Sequence, residues 1–272
     1  MNTLLEQVVG IARAAGEEIL EVYNHSDFDV EVKGDGSPLT EADRRAHQLI
    51  ESSLVKLTPD IPVLSEESAA EAFAARHSWS RFWLVDPLDG TKEFVKRNGE
   101  FTVNIALIDN TRPTIGVVHT PVRKVSHYAE IGVGAFKQDQ DQTAQRITTR
   151  KMEPGRVVMV ASRSHGGDAV QAYRSNLQQQ LGDVEITSMG SSLKLCLVAE
   201  GAADIYPRLG PTSEWDTAAA HCLVDAAGGG VVQLDGTSLV YNKQNILNPW
   251  FLVYGDGGYD WTLAAQGIDS KD

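Results

Sequence analysis

The chain has 272 residues, 42% hydrophobic and 22% charged, a length that suits one large domain or two modest ones with enough apolar material for a real core. Its net charge of −13 argues against a grip on nucleic acid and against a polybasic patch for anionic lipid. No apolar run approaches the ~18 residues of a membrane span, and the opening MNTLLEQVVG, with Glu6 and no basic residue before Arg13, does not read as a signal peptide.

From Thr3 to Tyr23, apolar residues at Leu4, Val8, Ile11, Ala12, Ala15, Ile19 and Val22 recur with a helical period. A second helix opens at Thr40 with Asp43 three residues on, the pattern of a capping box. Ala46, Leu49, Ile50, Leu54 and Leu57 form its apolar stripe, and Thr58-Pro59 ends it. Strand signals follow at Val63-Leu64, Phe82–Val85, Phe101–Ile108 and Thr114–His119, then a hairpin turning at Gly132-Val133-Gly134. Residues 137–145 (KQDQDQTAQ) are almost devoid of apolar side chains and read as a solvated loop and boundary. Beyond it, strands at Val157–Val160, Val184–Thr187, Asp204–Tyr206, Val231–Leu234 and Phe251–Tyr254 are interleaved with helices at Asp168–Leu181, Ser191–Ala199 and Asp216–Ala227. The expected organisation is a first part, 1–150, with a helix pair and a largely antiparallel sheet, and an α/β second part, 151–272. Cys196 and Cys222 fall inside apolar helical patterns and read as buried free thiols, which suits a reducing cytoplasm.

The most informative segment runs from Phe82 to Phe94, FWLVDPLDGTKEF. An apolar strand carries Asp86 and Asp89 into a turn where Pro87 fixes φ and lacks a donor, and Gly90 permits φ > 0 and close approach of a ligand. Thr91 then stands near a helix start, where free N–H groups receive anions. Two carboxylates, the Leu88 carbonyl and a hydroxyl form a hard-oxygen set suited to Mg2+. The same acids could instead cap backbone N–H groups in an ordinary turn. Glu66-Glu67 follow a short apolar strand and could bring a further carboxylate to that edge, or be solvated. Asp216 sits at a helix start, where capping is the default role.

The ordered set Glu66-Glu67, then Asp86-Pro87-Leu88-Asp89-Gly90-Thr91, then Trp215-Asp216 before an alanine-rich helix resembles the signature of the inositol monophosphatase superfamily, metal-dependent and lithium-sensitive phosphatases, over nearly the whole chain. The run from Gly90 to Asn104, with Ser162-Arg163-Ser164-His165 and Tyr206 to Asp216, is similar to one branch, the bacterial 3′(2′),5′-bisphosphate nucleotidases. These remove the 3′-phosphate of adenosine 3′,5′-bisphosphate in sulfate assimilation. The resemblance implies a layered αβαβα sandwich of the sugar-phosphatase type and a small nucleotide bisphosphate as substrate. It leaves oligomeric state open and implies a cytoplasmic location; related bacterial proteins are assigned to the cytoplasmic face of the inner membrane.

It also implies roles. Glu67, Asp86 and the Leu88 carbonyl would hold one Mg2+, and Asp86, Asp89 and Asp216 a second; a third ion occurs in related sites. Two such ions clamp the attacking and leaving oxygens of an in-line displacement. Thr91 would orient the attacking water, with Asp43 or Glu67 accepting its proton, and the Gly90 and Thr91 amides would hold the transferring phosphoryl. Ser162, Arg163, His165, Ser191, Lys194 and Arg208 are candidates for the remaining phosphate and nucleoside, each with an ordinary surface role as the alternative. Three other readings stand beside this one: inositol monophosphate or fructose bisphosphate as substrate, a phosphatase working through a phosphorylated Asp, and a non-catalytic cation-binding protein. The phosphoaspartate turn has one residue between its acids, whereas Asp86 and Asp89 have two.

Overall fold

The helical period that begins at Thr3 forms α1 (Leu4–Asn24), closed at its start by a reciprocal capping box of Thr3 and Glu6. After it come the antiparallel pair β1 (Val30–Val32) and β2 (Pro38–Thr40), α2 (Glu41–Leu57), β3 (Val63–Ser65), α3 (Ala70–Ala75), a 3-10 turn at Arg76–Ser78, β4 (Arg81–Asp89) and α4 (Thr91–Val95). A meander of β5 (Thr102–Asp109), β6 (Arg112–Thr120), β7 (Val125–Glu130), β8 (Gly134–Asp139) and β9 (Gln145–Ile147) completes the first half. The second half runs β10 (Val157–Ser162), α5 (Asp168–Leu181), β11 (Val184–Met189), α6 (Leu193–Ala199), β12 (Ile205–Arg208), α7 (Glu214–Ala227), β13 (Gly230–Gln233), β14 (Phe251–Tyr254) and a 3-10 turn at Trp261–Ala265. This computed structural model describes residues 3–25, 30–32, 38–140, 142–153, 155–162 and 167–268.

Three apolar clusters separate five layers. Strands β3 to β9 form one sheet in chain order, parallel between β3 and β4 and antiparallel elsewhere. One face of it, with Trp83, Val85, Ile105 and Val117, packs on Val8, Ile19, Ile50 and Leu54 of the α1–α2 pair. The opposite face, with Leu84, Ala106, Val118 and Ala129, meets α6 and α7, which are covered in turn by Val158, Val160, Phe251 and Val253 of a second sheet ordered β11-β10-β12-β14-β13. The outer face of that sheet buries Met159, Ile205 and Leu252 under Tyr173 and Leu177 of α5 and Trp261 of the last 3-10 turn. The result is the αβαβα sandwich expected from sequence. Cys196 and Cys222 lie buried and free in its middle layer, and burial pushes both thiols up.

The structure departs from the sequence expectation in three places. The polar stretch 137–145 is not one loop: β8 runs to Asp139 and β9 starts at Gln145, because exposed strand residues need no apolar side chains once the backbone ladder is satisfied. Strand β4 continues through Pro87 to Asp89 rather than ending at Val85. Helix α7 begins at Glu214, with Ser213 as N-cap, so Asp216 is its third residue and not its cap. Among the described residues no helix is long and apolar enough to cross a membrane.

The close fit of α7 depends on small residues. Ala106, Gly116, Ala129 and Ala135 pair side by side across β5 to β8, leaving a trough for the helix face that carries Ala219 and Cys222. A Cβ on Gly116 would lie 2.2 Å from the Ala219 carbonyl oxygen and 2.8 Å from Cys222 Cβ. Gly116→Ala must therefore push α7 off the sheet; we expect a loss of about 1–3 kcal/mol, read as a lower urea midpoint at unchanged slope.

On the opposite face Gly16 brings α1 against His119, whose Nδ1 is 3.0 Å from Ser126 Oγ. Burial, then the charge of Arg13, lowers the imidazole from its ordinary 6.5 to about 4. The unfolded chain thus takes up this proton more readily than the fold. The stability that neutral His119 confers is complete above about 6.5 and is lost as pH falls through 4, at most about 3 kcal/mol. Stability-versus-pH curves of wild type and His119→Gln should converge in that window; parallel curves would show that His119 does not titrate there.

Candidate active site

The spacing of Asp86 and Asp89 has a geometric cause. Along a regular strand, residues three apart face opposite sides. Here Asp86 pairs with Asn104 and Asp89 with Thr102, so three steps on β4 match two on β5, and a bulge lies between the acids. The extra residue restores parity and turns both carboxylates to one face. Pro87, which has no ladder donor, falls inside the bulge where none is needed. Gly90 follows at φ 92°, in the left-handed region, and a Cβ there would lie 3.2 Å from both the Glu100 carbonyl oxygen and Ser191 Cβ. Thr91 starts α4, its hydroxyl 3.4 Å from the Leu88 carbonyl oxygen. Asp86 is buried and its Oδ1 accepts the Leu88 N–H at 3.0 Å.

Other acids reach the same face from two helix starts. Asp43 closes the capping box of α2, its Oδ2 accepting the Thr40 N–H at 2.8 Å and the Thr40 hydroxyl at 2.5 Å. Asp216 closes that of α7, its Oδ2 accepting the Ser213 N–H at 2.9 Å. Both are thus the third-residue partners of capping boxes, the role expected for Asp43, whereas at α7 the cap itself is Ser213; both acids also act on the turn. Burial, then the charges of Glu66, Asp89, Asp216 and Asp43, holds Asp86 well above the ordinary carboxylate range. Burial and Asp89, with a smaller push from Glu66, raise Asp216 to about 8.

Glu66 is the acid of that pair whose charge acts among the strongest on Asp86 and Asp216. Side-chain alternation gives the reason. Leu64 belongs to the core facing α7 and Val63 to the opposite one, and the Glu66 N–H extends the ladder to the Val85 carbonyl, so Glu66 follows Leu64 towards α7. Sequence alone offered two adjacent acids and no register to choose between them.

Ser192 was also missed. Its N–H and hydroxyl lie 2.6 and 2.8 Å from Asp89 Oδ2, its hydroxyl is 2.7 Å from the Asp216 carbonyl, and Asn104 Nδ2 donates to it at 2.8 Å. It joins the β4 acid to α7 across 24 residues of sequence from Asp216 and 103 from Asp89; the Ser-Ser pair after Gly190 was the only sequence signal. Its neighbour Ser191 sits at φ 44° and touches Thr102 Oγ1 at 3.1 Å, a strained backbone beside a cleft.

Asp89 and Asp216 line that cleft together with Lys194 and Arg208, and Lys92, Glu93, Ser162, Ser191, Tyr206 and Phe251 also line it. The Lys194 ammonium is 2.5 Å from the Ser191 carbonyl and 5.7 Å from the centre of the Tyr206 ring; burial lowers it to about 8. Arg208 donates to the Pro211 carbonyl at 2.6 Å, and its buried Nε has no protein partner. Arg163 and His165 lie outside the described residues.

Among the described residues no three carboxylate, imidazole or thiol side chains close on one point as a ready-made ligand set. The donor chemistry nonetheless fits a hard divalent cation. The charges of Glu66 and Asp89 raise the proton affinity of Asp86 and Asp216, with the Leu88 carbonyl beside them, and such an accumulation of charge is relieved by protons or by a cation. In metal-free buffer Asp86→Asn, which keeps the acceptor for Leu88 N–H, should therefore raise the melting temperature by about 2–4 °C, and added Mg2+ should stabilise it less than wild type. A fall in melting temperature without metal would mean that the carboxylates do not repel.

A model of the inositol monophosphatase family matches residues 1–254. The 3′(2′),5′-bisphosphate nucleotidase CysQ of Salmonella typhimurium is 52% identical over 92% of this chain and 99% of its own length, and that of Escherichia coli K12 50% over the same shares. The crystal structure of CysQ from Bacteroides thetaiotaomicron superposes with a TM-score of 0.82 at 44% identity, covering 92% of this chain and 96% of the other. The IMPase of Thermotoga maritima superposes with a TM-score of 0.75 at 25% identity, covering 94% of each.

Proposed function

The chain belongs to the inositol monophosphatase family, and from that premise we propose that it is a Mg2+-dependent 3′(2′),5′-bisphosphate nucleotidase, releasing the 3′-phosphate of adenosine 3′,5′-bisphosphate to give AMP. The observation that carries the reading is a single cleft lined by two acids, Asp89 and Asp216, and by two bases, Lys194 and Arg208. A substrate with two phosphates has use for both: one group to be cleaved beside the cation-dependent acids, one to be held by fixed positive charge. The identity of 50–52% to CysQ nucleotidases over 92% of the chain supports it.

In this reading Glu66, Asp86, Asp89, Asp216 and the Leu88 carbonyl would hold the Mg2+ ions, with Glu66 in the place first assigned to Glu67. When bound, Mg2+ offsets the carboxylates' repulsion of an anionic substrate and polarises its phosphoryl oxygens. The residues do the rest. Thr91 orients a water, and Asp43, held by Thr40 at the start of α2, accepts its proton. The Gly90 and Thr91 amides receive the transferring phosphoryl. Lys194, nearly buried, gains a full counter-charge when the second phosphate arrives, and Arg208 offers it a guanidinium. Ser162 and Ser191 line the path of the nucleoside, and Arg163 and His165 stay candidates for the same phosphate. Residues 1–150 and 151–272 act as two subdomains, since the first sheet ends at Ile147 and the second begins at Val157. A reducing cytoplasm suits the two free thiols.

A phosphate-release panel tests this reading. Adenosine 3′,5′-bisphosphate should be turned over faster than inositol 1-phosphate or fructose 1,6-bisphosphate, with activity lost to chelator and inhibited by lithium; preference for inositol 1-phosphate would overturn the substrate assignment. Asp89→Asn should lower kcat by roughly 100-fold or more with the fold intact, and near-wild-type turnover would remove Asp89 from the site.

A further inference from the structure

A dense set of buried polar groups lies beside the N-terminus of α7, bordering the cleft at Thr212 and Thr217. Glu214 is fully buried and accepts the backbone N–H groups of Asn242 and Lys243 at 2.7 and 2.9 Å and the Lys243 ammonium at 2.6 Å. That ammonium also donates to the Val240 carbonyl at 3.0 Å and to Asn248 Oδ1 at 3.1 Å. Asn248 Nδ2 lies 2.8 Å from the Ser213 carbonyl and 3.1 Å from Thr217 Oγ1, and its N–H donates to the Thr212 carbonyl at 2.7 Å. The loop 240–248 is thus fastened to the first turn of α7, the turn that carries Asp216.

The same loop is held from the other side by the segment that follows Glu66. Arg76, buried, donates to Asn242 Oδ1 at 3.2 Å, to the Lys243 carbonyl at 2.7 Å and to the Gln244 carbonyl at 3.0 Å. Asn242 Nδ2 returns bonds to the Arg76 and Trp79 carbonyls, both at 3.1 Å. Alongside, Phe73 of α3 meets Trp215 edge-on, ring centres 5.9 Å apart.

Glu66 lies ten residues before Arg76, and Asp216 two after Glu214. These two carboxylates repel, and they sit on segments with no strand pairing between them. We propose that Arg76 and Glu214, acting through the 240–248 loop, are positioning residues that hold the Glu66 segment against the first turn of α7 and thereby set the divalent-cation affinity of the site. The inference rests on the metal-phosphatase reading above. A planar guanidinium that fixes two successive carbonyls, and a carboxylate that fixes two successive N–H groups, define position far more narrowly than apolar packing does. Groups that support ligands in this way change metal affinity by 10–100-fold when altered.

The test is Mn2+ binding by titration calorimetry without substrate, alongside thermal unfolding and steady-state kinetics. Glu214→Gln should weaken Mn2+ binding by about tenfold, leaving KM and kcat at saturating metal within about twofold of wild type. Arg76→Lys keeps the charge but not the fork, and should do the same. A folded variant with wild-type Mn2+ affinity overturns the proposal, whatever its melting temperature. Loss of folded protein in both variants also overturns it, assigning the network to stability. Wild-type protein that takes up no Mn2+ overturns the underlying metal reading, and the purpose of the clamp with it, a result distinct from equal binding by wild type and variant.

Discussion

Several carboxylates held within one another's field are the constraint on which the rest of the structure depends. Asp86 is buried among Glu66, Asp89, Asp216 and Asp43, and its proton affinity rises accordingly. A chain left to its own electrostatics would move these groups apart. Each is instead tied to a rigid element: Asp86 and Asp89 to a bulged strand, Asp43 and Asp216 to helix capping boxes, Asp89 again to the N–H and hydroxyl of Ser192. Capping and clustering are one arrangement here, because the acid that satisfies a helix N-terminus is also fixed in direction by it. Stability given up to repulsion is what makes the place attractive to a cation.

The layers exist, from the site's standpoint, to bring α7 to the end of β4. Large side chains on β5 to β8 would have held the helix away. Ala106, Gly116, Ala129 and Ala135 let it approach until backbone oxygen and Cα are neighbours. The second sheet then covers α6 and α7 from behind and brings Arg208 to the cleft, while α6 brings Lys194. Fixed acids and fixed bases lining one cleft are what a doubly phosphorylated ligand can use together.

Much of this was legible without coordinates. The periods of 3.6 and 2 placed the main helices and strands, the Thr40–Asp43 capping box was readable as written, and the acids Asp86, Asp89 and Asp216 were identified by their order and spacing. The errors have physical causes. The polar residues of β8 and β9 gave no apolar alternation, since an edge of the sheet needs none. Glu66 and Glu67 are chemically identical neighbours, and only the register of β3 on β4 decides which one faces α7. Ser192 acts on a partner 103 residues away and Glu214 on one 29 residues away, distances at which a linear pattern carries no signal.

What the chain's order alone determined is therefore the local chemistry: which residue types stand where along a helix or strand, and that an oxygen-rich turn follows an apolar strand. What only the tertiary structure decided is which of them share a space. A side chain's face is set by hydrogen-bond parity, so one inserted residue at Pro87–Leu88 turns Asp89 to join Asp86. Bringing Asp216 within the field of Glu66 and within hydrogen-bond reach of Ser192 requires α7 to lie in a trough made by four strands at once. Both are properties of packed backbones, in which the position of each residue depends on all its neighbours and not on the few beside it in sequence.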